Sequence, residues 1–356
     1  MIRNKFLLLD NNYQFHLKEE QITLKGNVLK VLSTAICGTD LHILNEEIDI
    51  PHPIILGHEI IGIIEKLDNP DEIISYNKLS VGDVVILAPA FKCGECIKCK
   101  TGDYCINRNF YGLNIPYSGE FCGGFSQYIN LQKNSKLYKL PQSMSIDKGL
   151  LVEVIAACIR ANKIAFNKEY SVNKRVLVFG AGVIGITTAI LAKLYGADVL
   201  ICDMVEHRLQ KASQLFNLNT LNTKGLSDVS ITAGIKEYFK GLFPEIVIEC
   251  AGTLKAIEQA FNVLSKRSRL VIMGNYADVG KINLSPSFIC LNDIEIKGTS
   301  ETYPEDMVDA MSIMKIYPEI QFDKMITHKF SLSDYEKAIE IAKTLKGIKV
   351  VFEFDK

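Results

Sequence analysis

Arg175-Val-Leu-Val-Phe179-Gly180-Ala181-Gly182-Val183-Ile184-Gly185 is the stretch that decides the fold. Arg175 to Phe179 is a short apolar run that reads as a buried strand, and Ile186 to Tyr195 continues as an apolar helix. A strand, a glycine-rich turn and a helix start in direct succession make Gly-x-Gly-x-x-Gly a dinucleotide fingerprint. Gly180 and Gly182 permit the tight turn and the close approach of a pyrophosphate, and Gly185 lets helix pack on strand. Val183 and Ile184 open the helix, whose unpaired amides and positive dipole end face the phosphates.

Working outward, Asp198-Val-Leu-Ile-Cys202-Asp203 reads as the next strand. Asp203 falls at the distance beyond the glycines where an acidic residue meets the adenosine ribose. A carboxylate there hydrogen-bonds a free diol and repels a 2'-phosphate, which favours NAD over NADP. Arg208, five residues on, can lie beside the same ribose. Further strands at Ile246 to Glu249 and Leu270 to Met273 alternate with helical stretches, the pattern of an α/β doubly wound parallel sheet.

The N-terminal part carries different chemistry. Cys37-Gly38-Thr39-Asp40-Leu41-His42 is followed sixteen residues later by Gly57-His58-Glu59. Together they supply a thiolate, imidazoles, a carboxylate and a hydroxyl, the inventory of a catalytic zinc site with a route for a proton. Cys93, Cys96, Cys99 and Cys105 form a second set, four thiols packed into thirteen positions. Thiolates spaced by two residues wrap one tetrahedral ion, and a closed four-sulfur shell is a structural zinc site. A C-x-x-C redox pair or disulfides are the competing readings.

These motifs, with Val81-Gly82-Asp83-Val84-Val85, Gly123-Gly124-Phe125-Ser-Gln-Tyr128, Glu153, Ile248-Glu249-Cys250-Ala251-Gly252 and Gly274-Asn275, resemble in kind and order the zinc-containing medium-chain dehydrogenases, in particular the sorbitol and threonine dehydrogenase branch. The resemblance implies a GroES-like catalytic domain, a partly open β-barrel over residues 1–152 completed by 294–356. A Rossmann domain over 153–293 is implied between them. By resemblance, Cys37 and His58 are ligands of the catalytic zinc, and Glu59 and Glu153 match two acidic positions that ligate the metal or hold its water. Thr39 and His42 match a proton relay. The lobe departs from the family pattern, with five residues rather than seven between Cys99 and Cys105, which leaves Cys122 as a conceivable fourth ligand.

The implied activity is reversible oxidation of a secondary alcohol with hydride transfer to NAD. Glutamates near the zinc suit a polyol, sugar or cyclitol. An amino alcohol of the threonine type is the rival substrate, and a non-catalytic NAD or redox sensor on the same fold is the reading from another class. The sensor has no use for the set Cys37, Thr39, His42, His58 and Glu153.

Forty basic against 41 acidic residues give no global pull towards nucleic acid or anionic membranes. The apolar run Phe6 to Leu9 is too short for a secretory core, and no uncharged apolar run approaches a membrane span. Ten cysteines, several at metal-like spacing, suit a reducing cytoplasm. The resemblance also implies a homo-oligomer, a dimer or tetramer, with 269–292 as the interface segment.

Overall fold

The structure is a computed structural model, and it describes residues 1–355 without 103, 104, 168, 170, 276, 279 and 301. The chain divides into two compact units, one made of Met1–Val152 and Ile326–Lys356, the other of Glu153–Met325.

The second unit is built on six strands in the order Asn219–Asn222, Asp198–Asp203, Arg175–Phe179, Ile246–Glu249, Arg269–Ile272 and Glu295–Gly298. Every neighbouring pair is parallel. The first strand in sequence therefore lies in the middle and the order reverses beside it, the switch point at which open α/β sheets bind their ligands. Val176 to Phe179 and Ile246 to Ile248 are buried without a break. Such continuous apolar runs are what a sheet covered on both faces requires.

The chain leaves this sheet later than the family resemblance implies. Residues 294–325 do not return to the first unit, and the crossing comes at Ile326. Glu295–Gly298 pairs in parallel with Arg269–Ile272 as the sixth, edge strand, and the helix Pro304–Ile316 stays in the same unit. The physical reason is the edge position. With one side unpaired, this strand carries Glu295 and Lys297 and lacks the apolar run that marked the central strands. Of the segment 269–292, Tyr276 and Val279 lie outside the described residues.

The first unit centres on a seven-stranded sheet. Its path runs Ile326–Phe330, Lys349–Glu353, Asn27–Ile36, Glu59–Leu67, Val84–Leu87 and Leu137–Lys139, with Tyr128–Leu131 also paired to Asn27–Ile36. Two register shifts between Asn27–Ile36 and Glu59–Leu67 add local twist and curl the sheet towards the expected open barrel. Phe6, Leu7, Leu9, Ile54, Leu56, Phe125 and Phe352 fill one core of this unit.

Gly123 lies where the chain passes close against the backbone at Ile55. A Cβ on it would stand 1.9 Å from the carbonyl oxygen of Ile55. Gly123→Ala should therefore cost about 2–3 kcal/mol as the two segments are forced apart, read as a lowered thermal midpoint. A midpoint equal to the parent's would show that the segments 53–57 and 121–125 do not pack as described.

Candidate zinc and dinucleotide sites

Strand register assembles the first cluster. Ala35 pairs with Glu59, and Ile36 pairs with Val350. Cys37, His58 and Lys349 are each one residue beyond those pairs, so three strands deliver chemistry to one end of the sheet. Gly57 turns the chain into this position with φ +90°, and a Cβ there would meet the Phe125 ring at 2.5 Å.

The ligand atoms of Cys37, His58 and Glu59 all lie within 4.8 Å of one another. Cys37 caps the helix Gly38–Leu44, and Asp40, fully buried in its first turn, accepts the Cys37 N–H through Oδ2 at 2.8 Å. The other oxygen of Asp40 lies 3.7 Å from Nδ1 of His58. A metal-ligating histidine commonly offers its second nitrogen to such a carboxylate. Burial opposes protonation of His58, but the charges of Cys37 and Asp40 outweigh it and hold the imidazole well above its ordinary pKa.

Glu59 is 1% and Lys349 3% exposed, and Glu59 Oε1 receives the Lys349 ammonium at 2.5 Å. Glu59 Oε2, Asp40 Oδ1 and His58 Nδ1 are buried and have no hydrogen-bond partner among the described residues. Each such atom costs about 1–3 kcal/mol. Glu59 Oε2, on a residue grouped with the Cys37 thiol and His58, fits a cation site, with Asp40 Oδ1 and His58 Nδ1 facing each other behind it. Thr39 Oγ1 lies 3.8 Å from Cys37 Sγ, and His42 Nδ1 is hydrogen-bonded to Glu47 Oε2. Glu153 stands in the first turn of the helix Val152–Phe166, in the second unit.

The second cluster brings together Cys93, Cys96, Cys99 and Cys105. Ala90–Phe91 pairs with Asn109–Phe110 and clamps both ends of the loop that carries them. Sulfur separations of 3.5 Å for Cys93–Cys105 and 3.9 Å for both Cys93–Cys99 and Cys96–Cys105 are too long for disulfides. They match the edge, about 3.8 Å, of a tetrahedron with zinc–sulfur bonds of about 2.3 Å. Backbone N–H groups of Cys93, Cys96 and Cys99 donate to sulfurs within the set, and the bond from Cys99 lowers the Cys96 thiol to about 6. The shorter spacing still closes the loop on Cys105. Cys122 is held elsewhere, by Gln132 at 3.4 Å, and burial pushes its thiol up to about 12.

The glycine-rich turn follows the strand Arg175–Phe179. Gly180 has φ +100°, and its Cβ would stand 2.8 Å from the Ala251 nitrogen. Gly185 packs so closely that a Cβ would meet the Gly180 carbonyl at 1.7 Å, whereas Gly182 faces open space with Arg208 Nη1 at 3.9 Å. That cradle at the start of the helix Val183–Leu194 fits a pyrophosphate. Asp203 ends its strand and accepts from the Ala181 N–H at 2.5 Å and the Val205 N–H at 2.7 Å. Burial lowers the Arg208 pKa, against the charge of Asp203.

Three partners escaped the sequence reading. Asp40 had a local signal, an acidic residue three positions after the helix cap. Glu47 and Lys349 had none, since one depends on a turn and the other lies 290 residues from Glu59.

Residues 25–142 match the alcohol dehydrogenase GroES-like domain, and residues 183–315 match the zinc-binding dehydrogenase family. The sorbitol dehydrogenase of Halalkalibacterium halodurans is 27% identical, over 91% of this chain and 90% of its own length. An L-threonine 3-dehydrogenase of Shewanella frigidimarina is 28% identical over 92% of both chains. The crystal structure of an alcohol dehydrogenase from Thermotoga maritima shares the fold, with a TM-score of 0.88 at 23% identity over 99% of this chain and 100% of that one. The chain thus belongs to the zinc-containing medium-chain dehydrogenase family and is similar to its sorbitol and threonine dehydrogenase branch.

The cysteine set makes a direct prediction. Cys105→Ser should lower the zinc content from two ions per chain to one, and Cys122→Ser should leave it at two, as counted by plasma mass spectrometry. Loss of zinc in the Cys122 variant alone would reassign the fourth ligand.

Proposed function

We propose that this protein is a zinc-dependent dehydrogenase that reversibly oxidises a secondary alcohol of a polyol, sugar or cyclitol to the ketone with NAD as hydride acceptor. The convergence of Cys37, His58 and Glu59 beside Thr39 and His42 carries the reading. When bound, zinc polarises the substrate oxygen as a Lewis acid and NAD takes the hydride.

Cys37, His58 and Glu59 would hold the catalytic zinc, with Glu153 as a further acidic position by family resemblance. Cys93, Cys96, Cys99 and Cys105 would hold a structural one. The Thr39 hydroxyl accepts the substrate's hydroxyl proton and passes its own to His42; in ketone reduction the same groups return it. Asp203 would accept hydrogen bonds from the adenosine ribose, and Arg208 lies beside it. A carboxylate there repels a 2'-phosphate, so the cofactor is NAD rather than NADP.

The substrate class follows from the donor set. A carboxylate in place of a second thiolate makes the metal environment harder and more polar, which suits a hydroxyl-rich molecule. An amino alcohol is the second reading, favoured by the threonine dehydrogenase relative at 28% identity. No helix among the described residues is long and apolar enough to cross a membrane. Cytoplasmic residence and assembly as a dimer or tetramer complete the proposal.

NAD reduction followed by absorbance across polyols, cyclitols, phosphorylated polyols and amino alcohols tests it. Turnover with a polyol, at least 100-fold slower in Cys37→Ser, is expected. Turnover confined to amino alcohols would move the substrate class. No turnover with any alcohol, in protein that carries zinc and binds NAD, would contradict the enzyme reading and favour a sensor.

A further inference from the structure

Glu47 is held in place by the backbone around it. Its N–H donates to the His42 carbonyl at 2.9 Å, and Glu46 takes a left-handed φ of +61°, so the chain doubles back at the end of the helix Gly38–Leu44. This turn lays the Glu47 carboxylate against the imidazole, with Oε2 hydrogen-bonded to His42 Nδ1. Thr39 and His42 are three residues apart on the same helix and share a face. Cys37, Thr39 and His42 are half-buried, whereas Glu47 is exposed, with 27% of the His42 side chain and 36% of the Glu47 side chain open to solvent.

We propose that Glu47 is a positioning residue for His42 in the proton path of the alcohol oxidation, an inference that rests on the function proposed above. An ionised carboxylate only accepts hydrogen bonds, so Nδ1 carries the proton and Nε2 keeps its lone pair. The bond made by one ring nitrogen sets the role of the other, as the orienting acid does for any histidine base. In each oxidation the carbinol C–H hydride goes to NAD and the O–H proton passes through Thr39 to Nε2. The imidazolium so formed keeps its Nδ1–H on Glu47, whose negative charge stabilises it, and returns to neutral by releasing the Nε2 proton to water. Because Glu47 stands at the protein surface, replacing it leaves the core and the metal cluster untouched.

Nitrogen NMR of zinc-loaded protein labelled on histidine, with His42→Ala locating the signal, reads the tautomer. Nδ1 should be protonated in the parent. Glu47→Ala should shift His42 to the Nε2–H form that an unconstrained histidine side chain favours, whereas Glu47→Gln, whose amide oxygen still accepts, should keep Nδ1–H. In single-turnover oxidation with a pH-indicator dye, Glu47→Ala should release its proton about tenfold more slowly, a part of the 10²–10⁴ that positioned acid–base groups supply. Glu47→Gln should fall between, and zinc content and NAD affinity should not move. Placed on His42→Ala, the Glu47 change should add nothing. Parent-like proton release in His42→Ala would overturn the relay and the proposal with it. With that variant slow, an unchanged tautomer in Glu47→Ala, or an undiminished further loss on His42→Ala, would overturn the role of Glu47 alone.

Discussion

The register of three adjacent strands is the constraint on which the candidate active site depends. Because Ala35 faces Glu59 and Ile36 faces Val350, Cys37, His58 and Lys349 emerge together at one end of the curled sheet. A slip of one residue would send every side chain of a strand to the opposite face. That slip would also carry Val28, Leu29, Val31 and Ile60, all buried, out of their packing. The core and the site therefore share one set of register contacts, and packing energy enforces the placement of chemistry.

What the register brings together is expensive to bury. Glu59 and Lys349 are almost fully enclosed, and removing one partner of such a pair costs about 3–5 kcal/mol because the other charge is left uncompensated. The pair leaves Glu59 Oε2 without a partner, beside a thiol and an imidazole. A divalent cation resolves that imbalance, and Asp40 then has the orientation to hold the far side of His58. The energetics that make these groups costly to bury are those that favour metal binding. The cysteine lobe reaches the same end differently, with backbone N–H groups and tetrahedral sulfur spacing replacing burial.

Much of this was legible from local sequence. The strand, glycines and helix around Gly180 share one short segment, and their conformations are dictated by neighbours in the chain. Cys105 was readable for the same reason, since loop closure around four thiols needs only local flexibility. The domain return was not, because Glu295–Gly298 is an edge strand whose half-exposed pattern carries little apolar signal. Nor was Lys349, whose partner lies across a strand pairing that no local pattern encodes. Glu47 was hidden by a left-handed residue at Glu46, a backbone state that glutamate rarely adopts. Local chemistry was thus visible and long-range electrostatics was not.

The central claim is that the two clusters create two different zinc environments in one chain. Zinc K-edge X-ray absorption of the fully loaded protein tests it directly. Five sulfur neighbours shared by two ions at about 2.3 Å are expected, with nitrogen and oxygen neighbours at about 2.0–2.2 Å. Cys37→Ser should remove one sulfur and leave the four-sulfur component intact. A spectrum with sulfur neighbours only, or one that Cys37→Ser does not alter, would contradict it.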